Sequence, residues 1–366
     1  MTHRTLRTLL AAALLAAPSA VVAKDEPAAA ATPNALVPLK RVDVTKRVPV
    51  DQLPANPELP DPFRFADGSR VRTREDWPRR AAELKELIQT YEYGHLPPVP
   101  PAGAVTVKPT PDYAPPARAG SNKDAKEAPD PSLPAGAREE KFLLTVAGPG
   151  GKTVDFHVLL TLPKGDGPFP VVVRGDLCWG LVKPAAREEI LRRGYVLADF
   201  DRTEIVPDKK GERNVGAYLV YPDGDFSATA AWAWGYHRVI DYLYTRPDIA
   251  KDKVTVTGHS RGGKTAIVAG LFDDRVALTN PNNSGCGGAG CYRYQAPKSE
   301  AIENITKNFP YWFQPEFTQF IGKVDRLPID QHSVKAAFAP RALMTTEALG
   351  DLWANPEGSQ VTYSAA

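Results

Sequence analysis

A chain of 366 residues with 43% hydrophobic and 24% charged side chains can bury a sizeable core, in one large domain or two ordinary ones. That excludes a disordered or fibrous protein. Its 45 basic and 43 acidic residues nearly cancel, which excludes a nucleic-acid or membrane-surface partner held by charge.

The N-terminus reads as an export signal. Arg4 and Arg7 give a basic start, residues 9–17 an apolar stretch too short to span a bilayer, and Val21-Val22-Ala23 a small-residue cleavage site. Cleavage near Ala23 predicts a periplasmic or secreted protein with 43 basic residues left against 43 acidic ones. No Cys follows the apolar stretch to take a lipid anchor. Residues 24–62 are rich in Ala and Pro and read as a linker and extended lead-in, so the catalytic domain is expected over 63–366. A helix is predicted over 73–94, with Thr73 and Asp76 as a capping box, Leu84, Leu87 and Ile88 as its apolar stripe, and Gly94 as its stop. Residues 97–139, dense in Pro, Gly and charge, predict a long surface excursion.

From residue 140 the pattern changes. Residues 141–148 and 153–163 read as a hairpin around "GPGGK". "FPVVVRGD", "YVLADFD" and "KVTVTGHS" are short apolar runs bounded by turn signals, the look of buried parallel strands. Helical stretches lie between them, notably "AREEILRRG" and "SATAAWAWGYHRVIDYLYTR". "RVALTNPNNSG" and "RALMTTEALGD" follow. Strands alternating with helices predict an α/β fold with a mostly parallel central sheet. Cys178, Cys286 and Cys291 have neither metal-ligand nor redox spacing, and three cysteines allow one internal disulfide at most.

The chemistry centres on Gly258-His259-Ser260-Arg261-Gly262, which fits G-x-S-x-G. A strand precedes it and a helix follows, so Ser260 sits where a nucleophile elbow requires. Arg261 and Lys264 fall in the first turn of that helix, where the helix dipole disfavours cations. They are either solvated side chains or part of a site that holds oxygens beside the nucleophile. The backbone N–H of Arg261 supplies one oxyanion donor, and the loop after "FPVVVRG", near Asp176 or Leu177, the second. With such an elbow the acid follows the serine and the histidine follows the acid. Glu347 and Asp351 both occupy the acid's loop, Asp351 at its more turn-like end. The six histidines are His3, His95, His157, His237, His259 and His332, and none lies beyond Asp351. His332 precedes the acid strand, where a structural hydrogen-bonding role is expected.

"VTGHSRGGKTA", "NNSGCGG", "APRALMTTEALGDLWANPEG", "YEYGHLPP" and "AAWAWGYHRVIDYLYTRPDI" together resemble the bacterial branch of the glucuronoyl esterases, over about residue 60 to the end. The resemblance implies an α/β-hydrolase three-layer sandwich with a serine triad and no metal or other cofactor. It implies cleavage of 4-O-methyl-glucuronoyl esters joining glucuronoxylan to lignin alcohols, by a monomer. Carried over, Ser260 is the nucleophile, Arg261 supports the oxyanion, Lys264 holds the uronate hydroxyls, Trp353 contacts sugar and Glu303 matches a substrate-contacting position. One subset of the family places its acid directly before "SG". Asn283 stands there, so the acid falls on Asp351.

The family's histidine lies beyond "DLWANPEG". Its absence here leads us to expect a C-terminally incomplete domain, without the last strand and helix. Two other readings stay open: another carbohydrate esterase, such as a xylan deacetylase, or an inactive carbohydrate-binding remnant.

Overall fold

Eight strands join in a single sheet in the computed structural model, which describes residues 47–116 and 133–366. The export signal and most of the Ala/Pro-rich lead-in lie outside the described residues. The strands are β1 (Val105–Pro109), β2 (Arg138–Ala147), β3 (Thr153–Leu162), β4 (Phe169–Arg174), β5 (Val196–Phe200), β6 (Ile249–His259), β7 (Leu278–Asn282) and β8 (Ala342–Leu343). Their order is β1-β2-β3-β5-β4-β6-β7-β8. β1, β2 and β3 join antiparallel, whereas β5, β4, β6, β7 and β8 run parallel. This is the mostly parallel α/β sheet that the alternating pattern predicts, and it fits the α/β-hydrolase fold that the resemblance implies. β5 shows why the pattern was readable: all five of its residues are buried, so both faces demand apolar side chains.

Among the described residues eight α-helices accompany the sheet: α1 (Trp77–Ile88), α2 (Pro184–Arg192), α3 (Gly216–Val220), α4 (Ala228–Thr245), α5 (Arg261–Phe272), α6 (Ile302–Asn308), α7 (Gln331–Ala336) and α8 (Pro356–Ser364). α4 starts on Ser227, whose hydroxyl accepts the N–H of Ala230 at 3.2 Å, a side-chain N-cap. It is buried on nearly every side, with Trp232 and Trp234 fully buried, as befits a helix enclosed by others. α4 packs against α5 and β6, and α5 lies against β6 and β7. The elbow at the β6–α5 junction therefore rests on the most enclosed part of the molecule.

Several predicted features differ in detail. α1 begins one residue after Asp76, which makes Asp76 the N-cap; its carboxylate accepts the N–H groups of Arg72 and Thr73 at 2.9 and 3.1 Å. Only that reach-back half of the expected capping box forms. α1 continues through a π-helical turn, Gln89–Tyr93, and ends at Gly94 with φ 77°, as read from the sequence. The surface excursion contains β1, which pairs with β2. Residues 47–62 pack onto the domain: Val50 and Leu53 are buried, and the Asn56 N–H donates to the Asp325 carbonyl at 2.7 Å. "PEGSQVTYS", for which no element was expected, forms α8, held by Lys335 Nζ on the Ser359 carbonyl and Thr362 hydroxyl at 2.7 and 2.8 Å. All three cysteines carry free thiols.

Candidate active site

Ser260 stands at the end of β6 with φ 53° and ψ −117°, a backbone conformation that non-glycine residues adopt only when the surroundings enforce it. The surroundings here do. A Cβ on Gly258 would lie 2.3 Å from the Gly262 carbonyl oxygen, and one on Gly262 would lie 2.0 Å from the Asp176 carboxylate. The two glycines thus let the elbow close on itself and on the loop after β4. Ser260 N–H donates to the Asn282 carbonyl at 2.9 Å, and the Ser260 carbonyl accepts the Lys264 N–H at 3.1 Å.

The loop after β4, where the second oxyanion donor is expected, is clamped from both ends. Arg174 reaches the Gly180 carbonyl at 2.9 Å while pairing with Asp199. Fully buried Arg202 donates to the Gly175 carbonyl at 3.1 Å and to the Asp176 carboxylate, and lies over the rings of Trp179 and Trp232. The other oxygen of Asp176 accepts the N–H of His259 at 2.8 Å, so one buried carboxylate fastens the loop to the residue before the nucleophile.

The two cations of the first turn of α5 are not solvated. Lys264 is 3% exposed, and its ammonium donates to the Ser284 carbonyl at 2.5 Å. Burial pulls its pKa down, against the opposing pull of Glu300. The guanidinium of Arg261 pairs with Asp208 at 2.6 Å and lies 4.4 Å from the ring centre of Trp312 and 5.0 Å from that of Phe309. Asp208 also accepts Tyr311 Oη and Trp312 Nε1, both at 2.8 Å. Sequence reasoning missed Asp208, because nothing in "VPDKKGER" distinguishes it from the other charges of a surface loop.

Glu303, matched by the resemblance to a substrate-contacting position, sits on α6. Ile302 and Ile305 turn inward on α6, so Glu303 lies exposed on the outer face. The carboxyl that faces Lys264 belongs to Glu300, which is buried. Burial raises its pKa, with Lys264 and a side-chain hydrogen bond from Trp353 opposing. The Glu300 N–H donates to the Trp353 carbonyl at 3.0 Å, and Trp353 itself is 51% exposed. Lys264 and Glu300 thus feel each other's charge, and Glu300 is tied to Trp353.

Asp351 hangs beyond β8 and accepts the side-chain N–H of Asn283 at 2.9 Å. Asn283, with φ 42°, also donates its N–H to the Thr346 carbonyl and accepts that of Ala348, both at 2.9 Å. The residue at the family's other acid position has become the tether of this one. Glu347 is committed elsewhere: it accepts the Ser359 hydroxyl at 3.0 Å, and burial raises its pKa.

None of the described histidines bonds Ser260. His95 lies between Asp225 and Glu86, His157 meets Glu204, and His237 the Ala269 carbonyl. His259 bonds the Asn282 side chain at 2.7 Å. His332 spends Nε2 on the Pro60 carbonyl at 2.5 Å, the structural role expected of it. A cavity of about 800 Å³, lined by Phe63, Trp77, Phe338, Arg341 and Tyr363 among others, includes no residue of the elbow.

The model of the family described as "Glucuronyl esterase, fungi" matches residues 145–366. The chain is 31% identical over 355 residues to 4-O-methyl-glucuronoyl methylesterase 1 of Wolfiporia cocos, covering 93% of this chain and 77% of that one. The chain belongs to the glucuronoyl esterase family. It is also 31% identical to the 4-O-methyl-glucuronoyl methylesterase of Cerrena unicolor, over 85% of its own length but 61% of that relative's. Among solved structures, a carbohydrate esterase family 15 glucuronoyl esterase from Caldicellulosiruptor kristjansonii superposes with a TM-score of 0.66 at 31% identity. That match covers 84% of this chain and 80% of the other.

Proposed function

We propose that this chain is a serine carboxylester hydrolase acting on 4-O-methyl-glucuronoyl esters that link glucuronoxylan to lignin alcohols. One observation carries the reading: near a strained Ser260 gather buried Lys264, buried Glu300 and the exposed ring of Trp353. Such a group is suited to fix a sugar ring by a few convergent contacts. Ser260 Oγ attacks the uronoyl carbonyl. The Arg261 N–H and the clamped loop after β4 stabilise the oxyanion, the alcohol leaves, and water releases the acyl-enzyme. Esterified substrate has no carboxylate charge, so Lys264 acts on it by hydrogen bonding to hydroxyls.

Asp351 is the acid in this scheme. A binding-only reading is favoured by one observation, that no described imidazole reaches Ser260. Hydrolysis of a benzyl glucuronate ester by the wild type and by Ser260→Ala separates the two. Turnover lost in the variant supports the esterase. No turnover in either, with glucuronoxylan still bound, supports the binding protein.

Residues 1–23 serve as an export signal in this proposal, and 63–366 as the catalytic domain of a monomer. No described helix is long and apolar enough to cross a membrane. N-terminal sequencing of the exported protein tests the cleavage near Ala23.

A further inference from the structure

Glu92, in the π-helical turn after α1, has no exposed surface. Its Oε1 accepts the Tyr292 hydroxyl and, at 2.8 Å, the Gln331 side-chain N–H. Its Oε2 has no partner, and neither does Oε1 of Gln331, although both are buried. Two acceptors without a donor, on two groups already joined by one hydrogen bond, make a specific deficit. A single hydrogen on Glu92 Oε2 would supply it, because a neutral carboxyl and a carboxamide can exchange two hydrogen bonds in a ring. An ionised Glu92 would leave both oxygens without a protein donor in the buried core, where each unmade bond is costly.

The position of this pair gives it a consequence for the active site. Tyr292 belongs to the segment 284–292, whose Ser284 carbonyl holds Lys264. Tyr93, next to Glu92, donates its hydroxyl to the Gly287 carbonyl in the same segment, and its ring stacks on Phe313 at 6.0 Å. A Cβ on Gly287 would meet the Phe313 ring and lie 3.7 Å from Lys264 Cε. The glycine-rich segment is therefore seated between the Glu92–Gln331 pair and Lys264.

We propose that Glu92 is a positioning residue that carries a proton in the folded protein: as a neutral acid it closes a two-bond ring with Gln331 and fixes the segment that seats Lys264. The titratable and charged groups around it are Tyr93 on its own turn, Tyr292 and Cys286 on the glycine-rich segment, and Asp330 before α7. Asp330 is answered by Arg293 at 3.3 Å and by the N–H groups of Tyr292, Arg293 and Gln331. No cation faces Glu92 among these groups. In keeping with that, burial raises its pKa from 4.5 to about 7.

The sign of the pH effect follows. A carboxyl whose folded pKa is raised contributes stability that is complete below its unfolded value and is lost as pH rises through the folded one. The window here runs from 4.5 to about 7. The proton itself is independent of the esterase reading; only its bearing on uronate binding rests on that reading.

The test is hydrogen exchange of residues 284–292, corrected for intrinsic rate, in the full chain and in Glu92→Gln. Glutamine keeps both ring bonds at every pH. We expect wild-type opening to rise about tenfold per pH unit across the window and then level off, with Glu92→Gln flat throughout. The infrared carbonyl band of a protonated carboxylic acid should vanish in Glu92→Gln and shift in Gln331→Leu, so either variant alone decides the matter if the other fails to fold. Identical pH dependence in wild type and Glu92→Gln, or an acid band unchanged by Gln331→Leu, would overturn the proposal whether or not the protein hydrolyses esters.

Discussion

The two flanks of Ser260 are built differently. On the Lys264 side, groups are buried and held several times over: Lys264 by the Ser284 carbonyl, Glu300 by the Trp353 backbone, and Arg261 by Asp208 and two rings. On the Asp351 side, a half-exposed carboxylate hangs from one asparagine beyond a two-residue edge strand. Lys264 and Glu300 draw on the enclosed interior around α5, whereas Asp351 sits on a loop outside it. The first is costly to disturb, and the second is the easier to lose or exchange.

The largest expected effect cuts through both flanks. Ser260→Ala should bring turnover of a benzyl glucuronate ester down to the uncatalysed background; equal rates would remove the elbow from the chemistry. On the built flank, Gly262→Ala forces a methyl group into the Asp176 carboxylate. Its midpoint in urea should fall by an amount equivalent to about 2 kcal/mol, and an unchanged midpoint would mean the loop yields freely. Lys264→Met keeps the volume and removes the ammonium. It should raise KM for a methyl glucuronate ester about tenfold, with a simple acetyl ester barely affected. Equal losses on both substrates would reduce Lys264 to a packing role.

The smallest effect is expected on the thin flank. Asp351→Asn should change kcat by about threefold or less, since a triad acid acts through a histidine and none of the described ones reaches the serine. A loss of about a thousandfold would show that Asp351 does work on a base, and would erase the contrast between the flanks.

How far the sequence could be read follows the same division. The inner parallel strands and the elbow were legible because burial on both faces demands unbroken apolar runs, and because a strained turn demands Gly258 and Gly262. β1 was hidden: an edge strand with four exposed residues out of five has little pattern to show among prolines. Only its place beside the elbow favoured Lys264 as a site residue over a surface lysine, since its burial comes from residues 284–312 folding over it. Asp208 and Glu300 are brought in by tertiary structure, with no local spacing to mark them. The two orphaned oxygens of Glu92 and Gln331 are a property of the assembled core alone.

The strap formed by residues 47–62 has a consequence for the order of folding. Its partners are late in the chain: Asp325 for Asn56, His332 for Pro60, Lys323 for Asp51. The residues made first are thus among the last able to find their native contacts, and closing so long a loop is slow. Until then Val50 and Leu53 remain uncovered. The N-terminal strap is a latch that can engage only on a nearly finished domain, so its protection from proteolysis reports the end of folding.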